Sequence, residues 1–163
     1  MAVVLGENAR ISALADIEES SRGSNFILGS GSSVDSFVKV KMSGGVGHIL
    51  IGENTTINSG CVIYSGNGVS IGSNVAIAAN CVFASTNHEC RQKDVLIVKQ
   101  GFRASRGGIV VEDDVWIGAG CVILDGSILR QGCVIGAMSL VRGEVPGYSI
   151  QGGNPLSLIG WRQ

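Results

Sequence analysis

The chain has 163 residues, with 25 glycines, two prolines, 45% hydrophobic and 15% charged residues, and a net charge of −1. That length suits one domain with a sizeable core, and so even a balance of charge excludes a broad phosphate-backbone footprint on nucleic acid. No stretch approaches the roughly 18 apolar residues of a membrane span, and MAVVLGENAR has no basic segment ahead of a long apolar run, so a cytoplasmic chain is expected. So few charges also fit apolar surface shared between subunits.

A period of six governs the sequence. Aliphatic residues open hexads at Leu5, Ile11 and Ile17, then at Leu28, Val34 and Val40 after a slip through Arg22 to Asn25. A glycine-rich break over 43–47 precedes Ile51, Ile57 and Ile63, and a two-residue excess near Gly66 to Gly68 precedes Ile71, Ile77 and Phe83. From Val111 the count is strict through Ile117, Ile123, Leu129, Ile135 and Val141, with Val115, Cys121, Ser127, Cys133, Ser139 and Val145 in the fifth place. A helix repeats near 3.6 and a strand near 2, so six marks a repeat architecture. Each hexad supplies a short strand with its aliphatic residue inward and a corner that admits a small side chain. Three hexads close a triangular coil, and stacked coils at about 4.8 Å share backbone hydrogen bonds and bury one another's interiors.

The pattern predicts about six coils, a long insertion over 84–110 after the fourth, and a short capping tail over 146–163 that leaves the repeat at Pro146. From Phe83 to Val111 lie 28 residues where a continuous count needs six, an insertion of functional size. Arg91, Lys93, Lys99, Arg103 and Arg106 outnumber Glu89 and Asp94 there, so the segment can attract an anion; a solvated loop or a subunit contact explains the same charges. Cys61, Cys81, Cys121 and Cys133 sit at corner positions and read as small buried thiols, which leaves Cys90 alone in the loop. His48, at the glycine-rich break, reads as exposed or capping. His88, in the run 84–89, stands where the fourth coil ends. No Walker loop, GxGxxG fingerprint, CxxC pair or Ser/His/Asp arrangement is present.

The run Asp113-Asp114-Val115-Trp116-Ile117-Gly118-Ala119-Gly120, with Val134-Ile135-Gly136-Ala137, Val145-Pro146 and Gly153-Asn154-Pro155, resembles the hexapeptide-repeat acyltransferases. The members it is similar to include the maltose and galactoside O-acetyltransferases and their polysaccharide-modifying relatives, and the likeness runs from about Ile51 to the end. It implies an all-β, left-handed parallel β-helix, an exception to right-handed crossovers, assembled as a homotrimer. In that family acetyl-CoA lies between neighbouring subunits and a histidine at the base of the long loop does the chemistry.

By that resemblance His88 is the catalytic base and Asn58 contacts the acceptor or the reacting centre. Trp116, Ala119 and Ala137 border the cofactor groove, and Arg142, one residue before the usual lysine position, takes a phosphate. Ser157 replaces a basic residue that relatives carry after the Gly-Asn-Pro turn, and Arg162 is the substitute. Tyr64 and Ser65 fall where the sugar enzymes place acceptor contacts, although an acidic residue used by some of them is absent.

The function expected is acetyl-CoA-dependent O-acetylation of a sugar hydroxyl, of an envelope polysaccharide or its precursor, with no metal; a lipid-linked acceptor would bring the protein to the inner membrane face. An amino-sugar N-acetyltransferase and a non-catalytic trimeric scaffold are the alternatives. A zinc hydratase on the same fold needs three histidine ligands, and the chain has two histidines.

Overall fold

A computed structural model describes residues 3–163. The described residues wind into a parallel β-helix of triangular section with left-handed coils. Face A stacks Val3–Leu5, Phe26–Leu28, Ile49–Ile51, Val69–Ile71, Ile109–Val111, Ile128–Leu129 and Glu144–Val145. Face B starts at Arg10–Ile11 and face C at Asp16–Ile17, and each gains one strand per coil. Six coils are complete, as the hexad count predicts, and the seventh is partial.

Register explains why the period holds. Leu5, Leu28, Ile51, Ile71, Val111, Leu129 and Val145 are successive partners on face A. Ile11, Val34, Ile57, Ile77, Ile117 and Ile135 form the column on face B, and Ile17, Val40, Ile63, Phe83, Ile123 and Val141 that on face C. From the second coil onward these columns are buried, whereas Leu5 at the N-terminal end is 48% exposed. A slip of one residue would turn a whole column outward, so burial fixes the register.

The small fifth residues are buried and several also donate hydrogen bonds. Cys61, Cys81 and Cys121 each reach a carbonyl oxygen of the next coil at 3.2 Å: Ala78, Gly118 and Gly136. Ser127 does the same to Val141 O at 3.2 Å. The corners between faces A and B turn through a left-handed residue, supplied by Asn8, Gly31, Asn54, Asn74, Asp114 and Gly132 in successive coils. Glycine and asparagine tolerate that conformation best.

The tail departs from expectation. It does not leave the repeat at Pro146, because Ser149–Gly152 adds a further parallel strand to face B beside Val134–Ile135. Only then does the chain turn, through a cis Asn154–Pro155 bond, and Ser157–Trp161 pairs back antiparallel. The long insertion occupies 85–108, since Val82–Ala84 and Ile109–Val111 are already strands.

Candidate active site

The insertion leaves the edge between faces C and A at Ser85, which is buried and donates to Tyr64 O at 2.7 Å. Three residues on, His88 pairs with Phe102 in an antiparallel bridge. Arg103 N donates to Asn87 O at 2.8 Å and Glu89 N to Gly101 O at 3.0 Å, so the two strands of the loop's base are tied on either side of that pair. The Phe102 ring lies 4.9 Å from the imidazole, tilted by 37°. One face of His88 is thereby set by packing. Its ring nitrogens make no hydrogen bond among the described residues, which leaves them open to a ligand.

Two further contacts fix the loop. Asp125, 4% exposed, accepts from Arg106 N at 2.8 Å and Gly108 N at 3.0 Å, and so pins the returning strand. Gln100, ending the single-turn helix Ile97–Gln100, donates to Gln92 O and Val95 O and accepts from Gln92 N, which closes the outer part.

His88 stands on the wall of two cavities. The first, about 230 Å³, is shared with Asn87, Cys90, Arg103, Arg106 and Arg142. Arg103 lies 3.9 Å from Glu89, while Arg106 and Arg142 form no ion pair among the described residues. Amide donation from Cys90 and Arg91, with the nearby arginines, holds the Glu89 carboxyl below its ordinary range. Asp125 also lines it, with its carboxylate taken up by two backbone amides, so three arginines against one aspartate leave this cleft cationic. The second, about 340 Å³, is shared with Ser43, Gly44, Tyr64, Thr86 and Phe102, and among the described residues that line it the titratable groups are His88 and the Tyr64 phenol.

The structure thus gathers His88, Arg142 and Tyr64 at one edge. It does not bring Ser65 to the site as an acceptor contact: that side chain is fully buried, so its hydroxyl cannot meet a ligand. Asn58 lies on the edge between faces B and C, where its Nδ2 donates to Ile77 O at 2.7 Å, and it borders a different cavity beside Thr56 and Asp35. Ala119 and Ala137 are exposed at the same edge, and Trp116 is 55% exposed on face B. Arg162 is held by the fold, with Nη1 donating to Asp114 Oδ2 at 2.8 Å and Gly132 O at 2.9 Å, so this guanidinium ties the tail to the coils. Within one chain His88, Arg142 and Tyr64 lie at one margin of face C and Asn58, Ala119 and Ala137 at the other, while Arg162 lies apart at the A–B corners. Phe102, Thr86 and Asp125 were not singled out from sequence, because the hexad count does not run through the insertion and assigns no role to an aspartate beside a corner.

Triangular coils of hexads with a histidine-bearing loop define the class, and comparison with known proteins agrees. A family model described as bacterial transferase hexapeptide (six repeats) matches 108–143, and one described as hexapeptide repeat of succinyl-transferase matches 48–83. A protein of Escherichia coli assigned to lipopolysaccharide biosynthesis as an O-acetyl transferase is 30% identical over 142 residues, 84% of this chain and 69% of that relative. Mitochondrial gamma carbonic anhydrase 2 of Arabidopsis thaliana is 35% identical over 122 residues, 70% of this chain and 44% of that relative. Among solved structures, the N-acyltransferase AntD of Bacillus cereus, in complex with dTDP and coenzyme A, superposes with a TM-score of 0.82 at 20% identity, covering 98% of this chain and 84% of its own. The chain belongs to the hexapeptide-repeat transferases.

The carbonic anhydrase likeness does not extend to a histidine cluster. Of the two histidines, His48 already accepts from Asn25 N through Nδ1 at 3.0 Å, the capping role expected of it. Among the described residues no three of His, Cys, Asp or Glu gather where they could hold a metal ion.

Proposed function

We propose that this protein transfers the acetyl group of acetyl-CoA to a sugar hydroxyl, with His88 as general base. The observation that carries the reading is the placement of an unbonded imidazole between a cationic cleft and an aromatic, hydroxyl-lined one. Coenzyme A brings phosphates that suit Arg106 and Arg142, and the acceptor takes the other side. Neutral His88 removes the hydroxyl proton as the oxygen attacks the thioester carbonyl. The new C–O bond forms, the C–S bond breaks, and the proton passes from the imidazolium to the leaving thiolate.

The tetrahedral oxyanion needs a preorganised donor, a contribution of about 3 kcal/mol where it has been measured by substitution. Asn58, with one amide hydrogen engaged by Ile77 O, keeps a second for that role. It lies at the far margin of face C from His88, and a three-fold assembly reconciles the two by setting one chain's A–C edge against its neighbour's B–C edge. Ala119, Ala137 and Trp116 would then border the donor opposite Arg142. The reading places the acceptor in an envelope polysaccharide or its precursor, in keeping with the role of the Escherichia coli relative. No helix among the described residues is long and apolar enough to cross a membrane, and a lipid-linked acceptor would be met at the membrane face.

Calorimetric titration with acetyl-CoA, paired with mass-spectrometric detection of the acetylated sugar, tests this. His88→Ala should keep donor affinity and lose about 10²–10⁴-fold in kcat. Turnover near wild type in that variant, or no donor binding to the wild type, defeats the reading.

A further inference from the structure

The two cavities at His88 differ in what they can hold. No lysine, arginine, aspartate or glutamate lines the one between Tyr64 and Phe102. Tyr64 is 37% and Phe102 50% exposed, so both rings offer surface to a ligand. The hydroxyls of Ser43, Tyr64 and Thr86 are without a hydrogen-bond partner among the described residues. Gly44 keeps the wall open: its φ is +85°, and a Cβ there would stand 2.9 Å from the Thr86 hydroxyl. A side chain at this position would fill the cleft.

Exposed aromatic faces beside free hydroxyls suit one ligand chemistry in particular. A pyranose presents a patch of C–H groups that packs on an aromatic face, and hydroxyls around its rim that exchange hydrogen bonds with neutral side chains. A carboxylate or phosphate would lose its hydration here with no lysine or arginine on the lining to replace it, since Lys41, on the strand beside Tyr64, is engaged by Asp16 at 3.3 Å. The free arginines face the other cavity, on the far side of the imidazole.

The geometry points to this cleft as an acceptor site selective for an uncharged pyranose, with Phe102 as the platform for the sugar ring. Phe102 also sets the plane of His88, 4.9 Å away. One residue thus fixes the base and the ring whose hydroxyl the base must reach. The inference rests on the acetyl-transfer reading, and it adds a residue and a charge preference that the reading does not require.

Binding of methyl glucopyranoside, methyl galactopyranoside, methyl glucuronide and glucose 1-phosphate, measured by saturation-transfer NMR titration with coenzyme A present, is the test. It is run on wild type, Phe102→Leu and Phe102→Tyr. A neutral glycoside should bind more tightly than either anion. Phe102→Leu, which keeps bulk and removes the ring face, should weaken it about three- to tenfold, and Phe102→Tyr should restore it. Equal or tighter binding of the glucuronide or the phosphate overturns the inference, as does unchanged affinity in Phe102→Leu or the absence of binding by both neutral glycosides. Acetyl-CoA titration of the same proteins separates the levels. Loss of donor binding in wild type defeats the acetyl-transfer reading, whereas intact donor binding with a sugar that ignores Phe102 defeats this inference alone.

Discussion

The edge between faces B and C and the edge between faces C and A are built from the same repeat and behave differently. The B–C edge turns in four residues every time, at 12–15, 35–38, 58–61, 78–81, 118–121 and 136–139. The C–A edge spans 18–25, 42–48, 65–68, 85–108, 125–127 and 142–143, from two residues to twenty-four. At the B–C edge the buried thiols of Cys61, Cys81 and Cys121 bond to the next coil, so an added residue there would break an inter-coil contact and shift an inward column. At the C–A edge the flanking strands are aligned by their own ladders, and the entropy of closing a longer loop grows only slowly with its length. The side chains around the two His88 cavities collect where length is free: His88, Phe102, Arg106 and Arg142 all belong to the permissive edge.

Removing a core side chain should produce the largest effect on stability, and it tests whether the coils are one cooperative unit. Phe83, fully buried in the last strand before the insertion, should cost about 3–5 kcal/mol as Phe83→Ala. Chemical denaturation should move as one transition; a separate early phase for the N-terminal coils would break the picture of a single array.

Asp125→Ala probes the other region. It deprives two backbone amides of a charged acceptor, worth about 1.5–3 kcal/mol each. The expected outcome is rapid proteolysis within 85–108 while the coil array keeps nearly its melting temperature. A matching fall in global melting temperature would show that the insertion is part of the cooperative core.

A smaller effect is expected at the regular A–B edge, where Arg130 donates to Glu112 and Glu144 at 2.8 Å each. The Arg130 hydrogen bonds hold both carboxyls below their ordinary value of 4.5. A depressed carboxyl favours the fold above its unfolded pKa, and that contribution disappears as pH falls through the folded value. The melting-temperature gap between wild type and Arg130→Met should therefore be present at pH 6–7 and close toward pH 3, and salt should shrink it. A gap that persists at pH 3 would assign Arg130 a packing role instead.

Phe37→Asn should have the smallest effect and the opposite sign. Phe37 is 63% exposed and held at φ 62°, where three other B–C corners have Gly60, Asn80 and Gly120 and one has Met138. Relief of that strain should stabilise the protein by about 0.5–1 kcal/mol in thermal melts. Destabilisation would mean that the ring has a partner surface.

The inward columns were legible because burial on three faces forces an aliphatic residue every sixth place, and the insertion was legible as a gap in that count. His88 could be singled out from its position at the gap. Ser65 was misplaced because it lies on the C–A edge, where the count loses phase and no column decides which way a side chain points. Arg162 was read as the substitute for a basic residue of the relatives, and its bond to Asp114 went unforeseen because the antiparallel return of Ser157–Trp161, which carries it there, has no hexad signature. The partnership of Phe102 with His88 spans fourteen residues of non-repeating chain, and only the bridge at the loop's base reveals it.

The distribution of thiols gives the molecule a built-in reporter position. Cys61, Cys81, Cys121 and Cys133 are buried, and burial pushes the Cys133 thiol up to about 12. Reagents that attack thiolates will therefore find Cys90, the exposed one, first. It lines the arginine-bearing cleft beside His88. A fluorophore attached there would lie in the cleft proposed for the acyl donor, and the chain as it stands suffices to test donor arrival optically without engineering a cysteine anywhere.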